Sequence, residues 1–281
     1  MGKLYDAASS AGYSTHEATI LLTRLLFLMF GDDTGLWLRG QFWNFVTNRT
    51  QQDATDLGAQ LIALFQALDT PEDKRSTNLD EMIARFPYVN GGLFSERLSV
   101  ASFSRQMREV LLECMRFDWG AISPAVFGSL FQAVKDKEAR RSLGEHYTSE
   151  EAIFRVIGPL FLDEFKTRFD AARGSAIKLR NLRKDLGRLN FLDPACGCGN
   201  FLIVAYRELR RLETAILVEL KELKEDMQLS LDATLGLEVR MENFAGIEIE
   251  EWPAKVAETA MFLVDHQCNV EMRNKLGMIP D

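Results

Sequence analysis

The sequence predicts a mainly α-helical first part followed by an α/β second part. Apolar residues recur at helical spacing through the first half of the chain, and a strand, a glycine turn and a helix follow one another around residue 195. The 281 residues are 47% hydrophobic and 26% charged, which is typical of a chain that folds around a sizeable core. At roughly 150 residues per domain this length indicates about two domains. We place their boundary between residues 140 and 141.

Helix-start patterns support the α-helical assignment of residues 1–140. Ser14 and Glu17 have the spacing of a capping box, and an apolar stripe follows them as far as Met29. Core packing explains such a stripe. Further helices are predicted at residues 55–68, just after Pro71, at 107–115 and at 123–134.

Charge leaves two interpretations open for residues 171–190. The whole chain has a net charge of -8, which excludes a basic nucleic-acid-binding tail but not a local cationic patch. This segment contains one acidic residue, Asp185, and six basic residues: Arg173, Lys178, Arg180, Arg183, Lys184 and Arg188. A solvated basic helix or linker is the first interpretation, and a patch that contacts phosphates is the second.

Cysteine number and hydropathy indicate a cytoplasmic protein without a membrane span. Cys114, Cys196, Cys198 and Cys268 are too few and too unevenly spaced for a disulfide framework in a chain of this length. The most apolar stretch, residues 20–30, is shorter than the roughly 20 residues that a membrane helix needs. The first ten residues do not have the order of a signal peptide.

Residues 190–202 carry the most specific chemical pattern, Asn-Phe-Leu-Asp-Pro-Ala-Cys-Gly-Cys-Gly-Asn-Phe-Leu. Glycines at a strand-to-helix turn let the backbone approach a ligand, and the helix that follows presents free N–H groups to it. The third glycine of a dinucleotide-binding loop is missing, and so is the Gly-Lys-Ser/Thr of a phosphate-binding loop. Cys196 and Cys198 lack the spacing and the second ligand pair of a structural zinc site, so no metal is expected.

The motif Asp-Pro-Ala-Cys-Gly-Cys-Gly-Asn-Phe at residues 193–201 resembles the first motif of the adenine-N6 DNA methyltransferases, which wraps the methionine part of S-adenosylmethionine. Residues 144–149 resemble the motif that precedes the first strand of these enzymes, and residues 244–250 resemble the second strand with its ribose-binding acid. The resemblance implies a class I, Rossmann-like methyltransferase domain, incomplete here, over residues 141–281. Glu248 is the candidate ribose ligand, since a carboxylate accepts hydrogen bonds from two hydroxyl groups.

The resemblance implies a set of cofactor-binding residues on the three motifs. They are Tyr147, Thr148, Asp193, Pro194, Ala195, Cys196, Gly197, Gly199, Asn200, Phe201, Glu248 and Ile249. Ile249 and Phe201 are expected to be apolar walls for the adenine ring. Each motif also has a purely structural interpretation: Thr148 as a helix cap, residues 244–249 as a buried strand, and Asp193 as a turn-initiating acid.

The first part of the chain resembles the helical spacer of the MmeI-type enzymes, which are fused restriction-and-modification proteins. The resemblance rests on Arg24-Leu-Leu-Phe, Asp33-Thr-Gly, the segment 86–94, Phe117-Asp-Trp and the segment 123–131. It implies a site-specific DNA adenine-N6 methyltransferase of a restriction-modification or phage-defence system, with double-stranded DNA as partner. A scaffold that binds DNA or a protein without catalysis is the alternative, and a methyltransferase acting on RNA or protein is a weaker one.

No residue of this chain is predicted to be catalytic. Adenine-N6 methyltransferases carry an Asn/Asp-Pro-Pro-Tyr/Phe motif, and the seven prolines here are all isolated. We therefore expect a fragment that stops before this motif, inactive by itself. The sheet of such a fragment has an exposed edge beside residues 191–193, and self-association through that edge is expected.

Overall fold

The computed structural model describes residues 2–89, 92–99, 102–122, 148–223 and 236–277. The contacts between residues divide the chain into two compact units. The described residues up to Ile122 belong to the first unit, and those from Thr148 onwards belong to the second. The predicted helix at 123–134 and the predicted boundary at 140/141 lie outside the described residues.

Every regular secondary structure element among the described residues of the first unit is a helix, as predicted. Its helices are α1 (Gly2–Ser10), α2 (Thr15–Thr34), α3 (Gln41–Arg49), α4 (Leu57–Leu68), α5 (Glu81–Ala84) and α6 (Arg105–Cys114). Two 3-10 turns, Glu72–Lys74 and Trp119–Ala121, complete it. The helix predicted after Pro71 is therefore only a single turn.

Helix α2 is the central element of this unit. The predicted capping box is present at its start, where Ser14 and Glu17 exchange hydrogen bonds between side chain and backbone. The helix is buried on nearly all sides, because α1, α3 and the 3-10 turn at Trp119 pack around it. Gly35, in the left-handed conformation, ends it.

Two charged side chains of α2 are buried because each forms hydrogen bonds with a neighbouring segment. Arg24 donates to the carbonyl oxygens of Leu93 and Glu96 at 2.9 and 2.7 Å. Burial lowers the pKa of the Arg24 guanidinium to about 10. Asp32 accepts hydrogen bonds from the indole of Trp37 and from the backbone N–H groups of residues 42 and 43. Arg24, one of the spacer-like residues, thus fixes the loop at residues 93–96, and Asp32 holds the first turn of α3.

The second unit contains two strands and five α-helices among its described residues. The strands are β1 (Phe191–Asp193) and β2 (Phe244–Gly246). The helices are α7 (Glu150–Ile157), α8 (Asp163–Ala172), α9 (Ala176–Leu186), α10 (Asn200–Glu222) and α11 (Glu251–Leu276). A π-helical turn, Gly158–Leu162, joins α7 to α8 at Pro159, which has no N–H group for the regular helical hydrogen bond. Residues 176–186 are a helix, so of the two forms in the first interpretation of residues 171–190, basic helix or linker, the structure has the helix.

The two strands pair in parallel, with Phe191 opposite Phe244 and Asp193 opposite Gly246. Phe191 and Phe244 stack with ring centroids 4.7 Å apart, and Tyr206 of α10 packs edge-on against Phe244. Helix α10 follows β1 and packs along α11, which follows β2. A mainly helical part followed by an α/β part is therefore confirmed. No helix of the described residues is long and apolar enough to cross a membrane.

Candidate functional site

The turn between β1 and α10 is tied to the end of β2 by the backbone. The N–H of Ile247 donates to the carbonyl of Asp193 at 2.9 Å, and the N–H of Cys196 donates to the carbonyl of Ile247 at 3.0 Å. Within the turn, the N–H of Gly199 donates to the carbonyl of Cys196 at 2.8 Å. The turn therefore lies at the carboxyl ends of both strands, the edge at which open α/β sheets bind ligands.

Gly197 and Gly199 are required at this turn for different reasons. Both have positive φ, +54° and +81°, which residues with a β-carbon rarely adopt. A β-carbon added to Gly199 would lie 2.9 Å from the β-carbon of Ala257 on α11, so this glycine permits close packing of the turn on that helix. A β-carbon added to Gly197 would meet no atom within 4 Å. Gly197 thus faces open space, where a ligand can approach the backbone.

Glu248 reaches from the end of β2 to this turn. Its Oε2 accepts a hydrogen bond from the N–H of Gly197 at 3.0 Å, and its Oε1 accepts one from the N–H of Glu250 at 2.8 Å. Each carboxylate oxygen has a second lone pair that these bonds leave available. The Glu248 carboxylate is therefore held in a fixed position with acceptor capacity to spare.

Asp193 begins the turn, in agreement with its structural interpretation. Its Oδ1 accepts a hydrogen bond from the N–H of Ala195 at 3.1 Å. Burial raises the pKa of the Cys196 thiol, and the charges of Asp193 and Glu248 raise it further. A protonated thiol is a poor nucleophile and a poor metal ligand. Among the described residues no group of three or more His, Cys, Asp and Glu side chains could hold a metal ion.

A cavity of about 520 Å³ extends from Glu248 along β2 and under α11. Its walls include Phe244 and Gly246 of the strand and Met261 and Phe262 of the helix. Gly246 lets Cys196 pack closely against β2, because a β-carbon added at Gly246 would lie 2.6 Å from the Cys196 sulfur. Glu258 also lines the cavity, and burial raises the pKa of its carboxyl group.

The remaining predicted site residues are distributed around the turn. Phe201 lines a second cavity of about 240 Å³, together with Leu160, Leu192 and Pro194, and not the cavity at Glu248. Ile249 lines neither cavity and is 93% exposed. Their role as two walls of one adenine pocket stays a prediction.

Asn200 opens α10, and its buried side-chain oxygen has no hydrogen-bond partner among the described residues. Tyr147 lies outside the described residues. Thr148 precedes the N-cap of α7, which is Ser149: the Ser149 hydroxyl accepts from the N–H of Ala152. The interpretation of Thr148 as the cap is therefore wrong, and its predicted role toward the cofactor stays untested.

The residues on which the turn packs were not predicted from the sequence. Ala257 and Gly246 are small because the turn packs on them, and isolated small residues in a helix and a strand give no distinctive pattern. A buried ion pair, Arg183 with Glu213, fixes the segment that leads into β2, since Glu213 also accepts from the N–H groups of residues 238 and 239. The spacing of 30 residues between these partners made the pair invisible in the sequence.

Two domain profiles match this chain. Residues 169–281 match the MmeI DNA-methyltransferase domain, and residues 16–94 match the MmeI helicase spacer domain. The two matches follow the chain in the order of the two parts predicted from the sequence.

Three larger proteins are similar to almost all of the chain. DNA methyltransferase A of Bacillus subtilis (strain 168) is 39% identical over 258 residues, 92% of this chain and 28% of that protein. A putative type II restriction enzyme and methyltransferase of Methanocaldococcus jannaschii is 24% identical over 88% of this chain and 24% of that protein. The solved structure of the Type IIL restriction-modification enzyme MmeI in complex with DNA superposes with a TM-score of 0.87 at 45% identity. The match covers 99% of this chain and 37% of that structure. The chain therefore spans about a quarter to just over a third of the length of these relatives.

Proposed function

The chain belongs to the MmeI family, whose spacer and DNA-methyltransferase domains it matches, and from this premise we propose that its second unit is the S-adenosylmethionine-binding part of a DNA adenine-N6 methyltransferase. The observation that carries the proposal is the contact between Glu248 and Gly197, 51 residues apart. This hydrogen bond joins two motifs, residues 193–201 and residues 244–250, each of which resembles a methyltransferase motif independently of the other.

The chemistry of the site fits this cofactor. The Glu248 carboxylate has acceptor capacity for ribose hydroxyls, and the open backbone at Gly197 leaves room for a ligand beside it. S-adenosylmethionine carries a sulfonium and an ammonium group against one carboxylate, so its net charge is positive. Asp193 and Glu248 make this end of the sheet negative, which favours a cationic ligand. The N-terminus of α10 is suited to the cofactor's carboxylate.

The bound cofactor supplies an activated methyl group for transfer to an amino nitrogen. The residues of this chain bind and orient it: Glu248 holds the ribose, the turn at Gly197 receives the methionine part, and Cys196 stays protonated. Methyl transfer of this kind depends mainly on positioning. No described residue is assigned a proton-transfer or nucleophilic role.

The substrate is double-stranded DNA with a target adenine turned out of the stack, as the resemblance of the first motif implies. One relative is described as a DNA methyltransferase, and the similar solved structure contains DNA. The setting is restriction-modification or phage defence. A scaffold without catalysis is the competing function, and it does not require Glu248 or the open turn.

Calorimetric titration of the chain with S-adenosylmethionine and S-adenosylhomocysteine tests the proposal. We expect saturable binding that Glu248→Ala weakens about 10- to 100-fold, because hydrogen bonds to a charged group contribute about 1.5–3 kcal/mol. The affinity of Glu248→Gln is expected to lie between those of the wild type and Glu248→Ala. Glu250→Ala is the matched control, since this acid lies two residues away and uses only its backbone N–H in the site. Absence of binding in a folded sample would favour the scaffold, and equal binding by Glu248→Ala would contradict the assignment of Glu248 as the ribose ligand.

A further inference from the structure

Helix α9 presents a cationic face that the proposed function does not use. Residues 163–190 carry eight Lys and Arg against four Asp and Glu, in a chain whose net charge is -8. Four exposed positions are spaced four, three and four residues apart. They therefore lie on one side of the helix and of the turn that follows it. They are Ile177, Asn181, Lys184 and Arg188, and Lys178 flanks them.

The lysines of this face are available for a partner. Lys178 and Lys184 are exposed and make no ion pair with any described residue. Arg188 contacts Asp185 at 3.3 Å, but Asp185 also binds Arg168 of α8, so this carboxylate does not neutralise the face. Ion pairs this exposed contribute little and exchange readily for another anion.

The opposite side of α9 is anchored in the core. Leu179, Leu182 and Leu186 are buried there, and Arg183 is held by Glu213 and the carbonyl of Gly236. The cationic face is therefore carried by a rigid element, and its charges do not arise from a mobile tail. Ile177 is 73% exposed among these cations, a position that core packing does not explain.

The location of α9 separates this face from the cofactor turn. The side chain of Asn243, just before β2, donates to the carbonyls of Gly187 and Leu189, just before β1. The C-terminal end of α9 thus lies at the amino ends of both strands, whereas the glycine turn lies at their carboxyl ends. A ligand bound to the cationic face of α9 would therefore not occupy the glycine turn.

We propose that this face of α9 binds the phosphate backbone of double-stranded DNA without reading its sequence. Lys178 and Lys184 are about 9 Å apart along the helix axis at 1.5 Å per residue. This distance corresponds to about three phosphates of one strand at 3.4 Å each. Lysine, arginine and asparagine side chains all donate to phosphate oxygens. The inference rests on the proposed function only for the choice of DNA as the polyanion; it requires no cofactor.

Fluorescence anisotropy of a labelled 30-base-pair duplex, titrated with the chain at several salt concentrations and without cofactor, tests this inference. The test variant is Lys178→Gln, Lys184→Gln, Arg188→Gln. The matched control is Lys3→Gln, Lys74→Gln, Arg85→Gln, which removes the same three charges from exposed positions of the first unit. Each phosphate contact contributes about 0.9 to the steepness of the plot of log K against the logarithm of the salt concentration. We therefore expect the slope to be shallower by about 2.7 in the test variant and unchanged in the control.

Three results would overturn the inference: no duplex binding by the wild-type chain at low salt, an unchanged slope in the test variant, or an equal loss in the control. A thermal melt verifies that each variant is folded. If the triple variant does not fold, Lys184→Gln alone is expected to lose about 0.9 of the slope. Cofactor titration is measured without DNA, so failure of the proposed function and failure of this inference give separate readouts.

Discussion

Removal of the Glu213 carboxylate is expected to destabilise the second unit more than any surface change. This side chain is fully buried and accepts three hydrogen bonds: from Arg183 at 2.9 Å and from the N–H groups of Glu238 and Val239 at 2.8 and 3.3 Å. Glu213→Ala removes the carboxylate that pairs with the Arg183 guanidinium, and it removes the acceptor of two backbone N–H groups. Loss of one partner of a buried ion pair costs about 3–5 kcal/mol, and we expect a decrease of that size in the free energy of unfolding.

Urea denaturation followed by far-ultraviolet circular dichroism measures this decrease. Three of the four tryptophans, Trp37, Trp43 and Trp119, lie in the first unit and only Trp252 lies in the second, so tryptophan fluorescence reports mainly on the first unit and should change little. Glu219→Ala on the same helix is the control, because its side chain makes no described hydrogen bond or ion pair; we expect a change within about 0.5 kcal/mol. A loss below about 1 kcal/mol in Glu213→Ala would refute the reasoning, since it would mean that water or another acceptor replaces the carboxylate.

Four further expectations follow from single contacts. Gly199→Ala should lose about 2–4 kcal/mol of stability by urea denaturation, because its methyl group meets a facing helix at 2.9 Å and its φ is positive. Gly197→Ala should lose only about 1 kcal/mol yet weaken S-adenosylmethionine binding in calorimetry, and equal losses of stability would contradict the different roles. Asp32→Ala should cost about 3 kcal/mol, because three N–H donors lose their acceptor; a smaller loss than in Asp33→Ala would contradict this. Burial raises the pKa of the Cys268 thiol from 9.0 to about 12, so native alkylation at pH 8, followed by mass spectrometry, should be about a thousandfold slower than in urea.

Self-association through the sheet edge is the remaining prediction from the sequence. Among the described residues β1 pairs only with β2, so its other edge is unpaired, and Leu192 beside it is 63% exposed. Sedimentation velocity across a hundredfold range of concentration should show a concentration-dependent shift that Leu192→Lys abolishes. A single monomeric boundary at every concentration would contradict it.

Local patterns in the sequence determined the elements of this protein. The capping box at Ser14, the apolar stripe after it and the strand-turn-helix around Gly197 were all predicted correctly, because each depends on residues a few positions apart. The same is true of the order of a helical part and an α/β part. The predicted cap of α7 was one residue off, Thr148 in place of Ser149, because both residue types can cap a helix and the sequence does not distinguish them.

Tertiary structure alone decided which distant groups meet. The sequence could name Glu248 as an acid at the end of a strand, but only the parallel pairing of β1 and β2 brings it to 3.0 Å from the N–H of Gly197. The bond between Arg183 and Glu213, the packing of Gly199 on Ala257 and the burial of Arg24 also depend on contacts between separate elements. Propensity and spacing act over one or two turns of chain, whereas desolvation and packing depend on the neighbours that folding supplies.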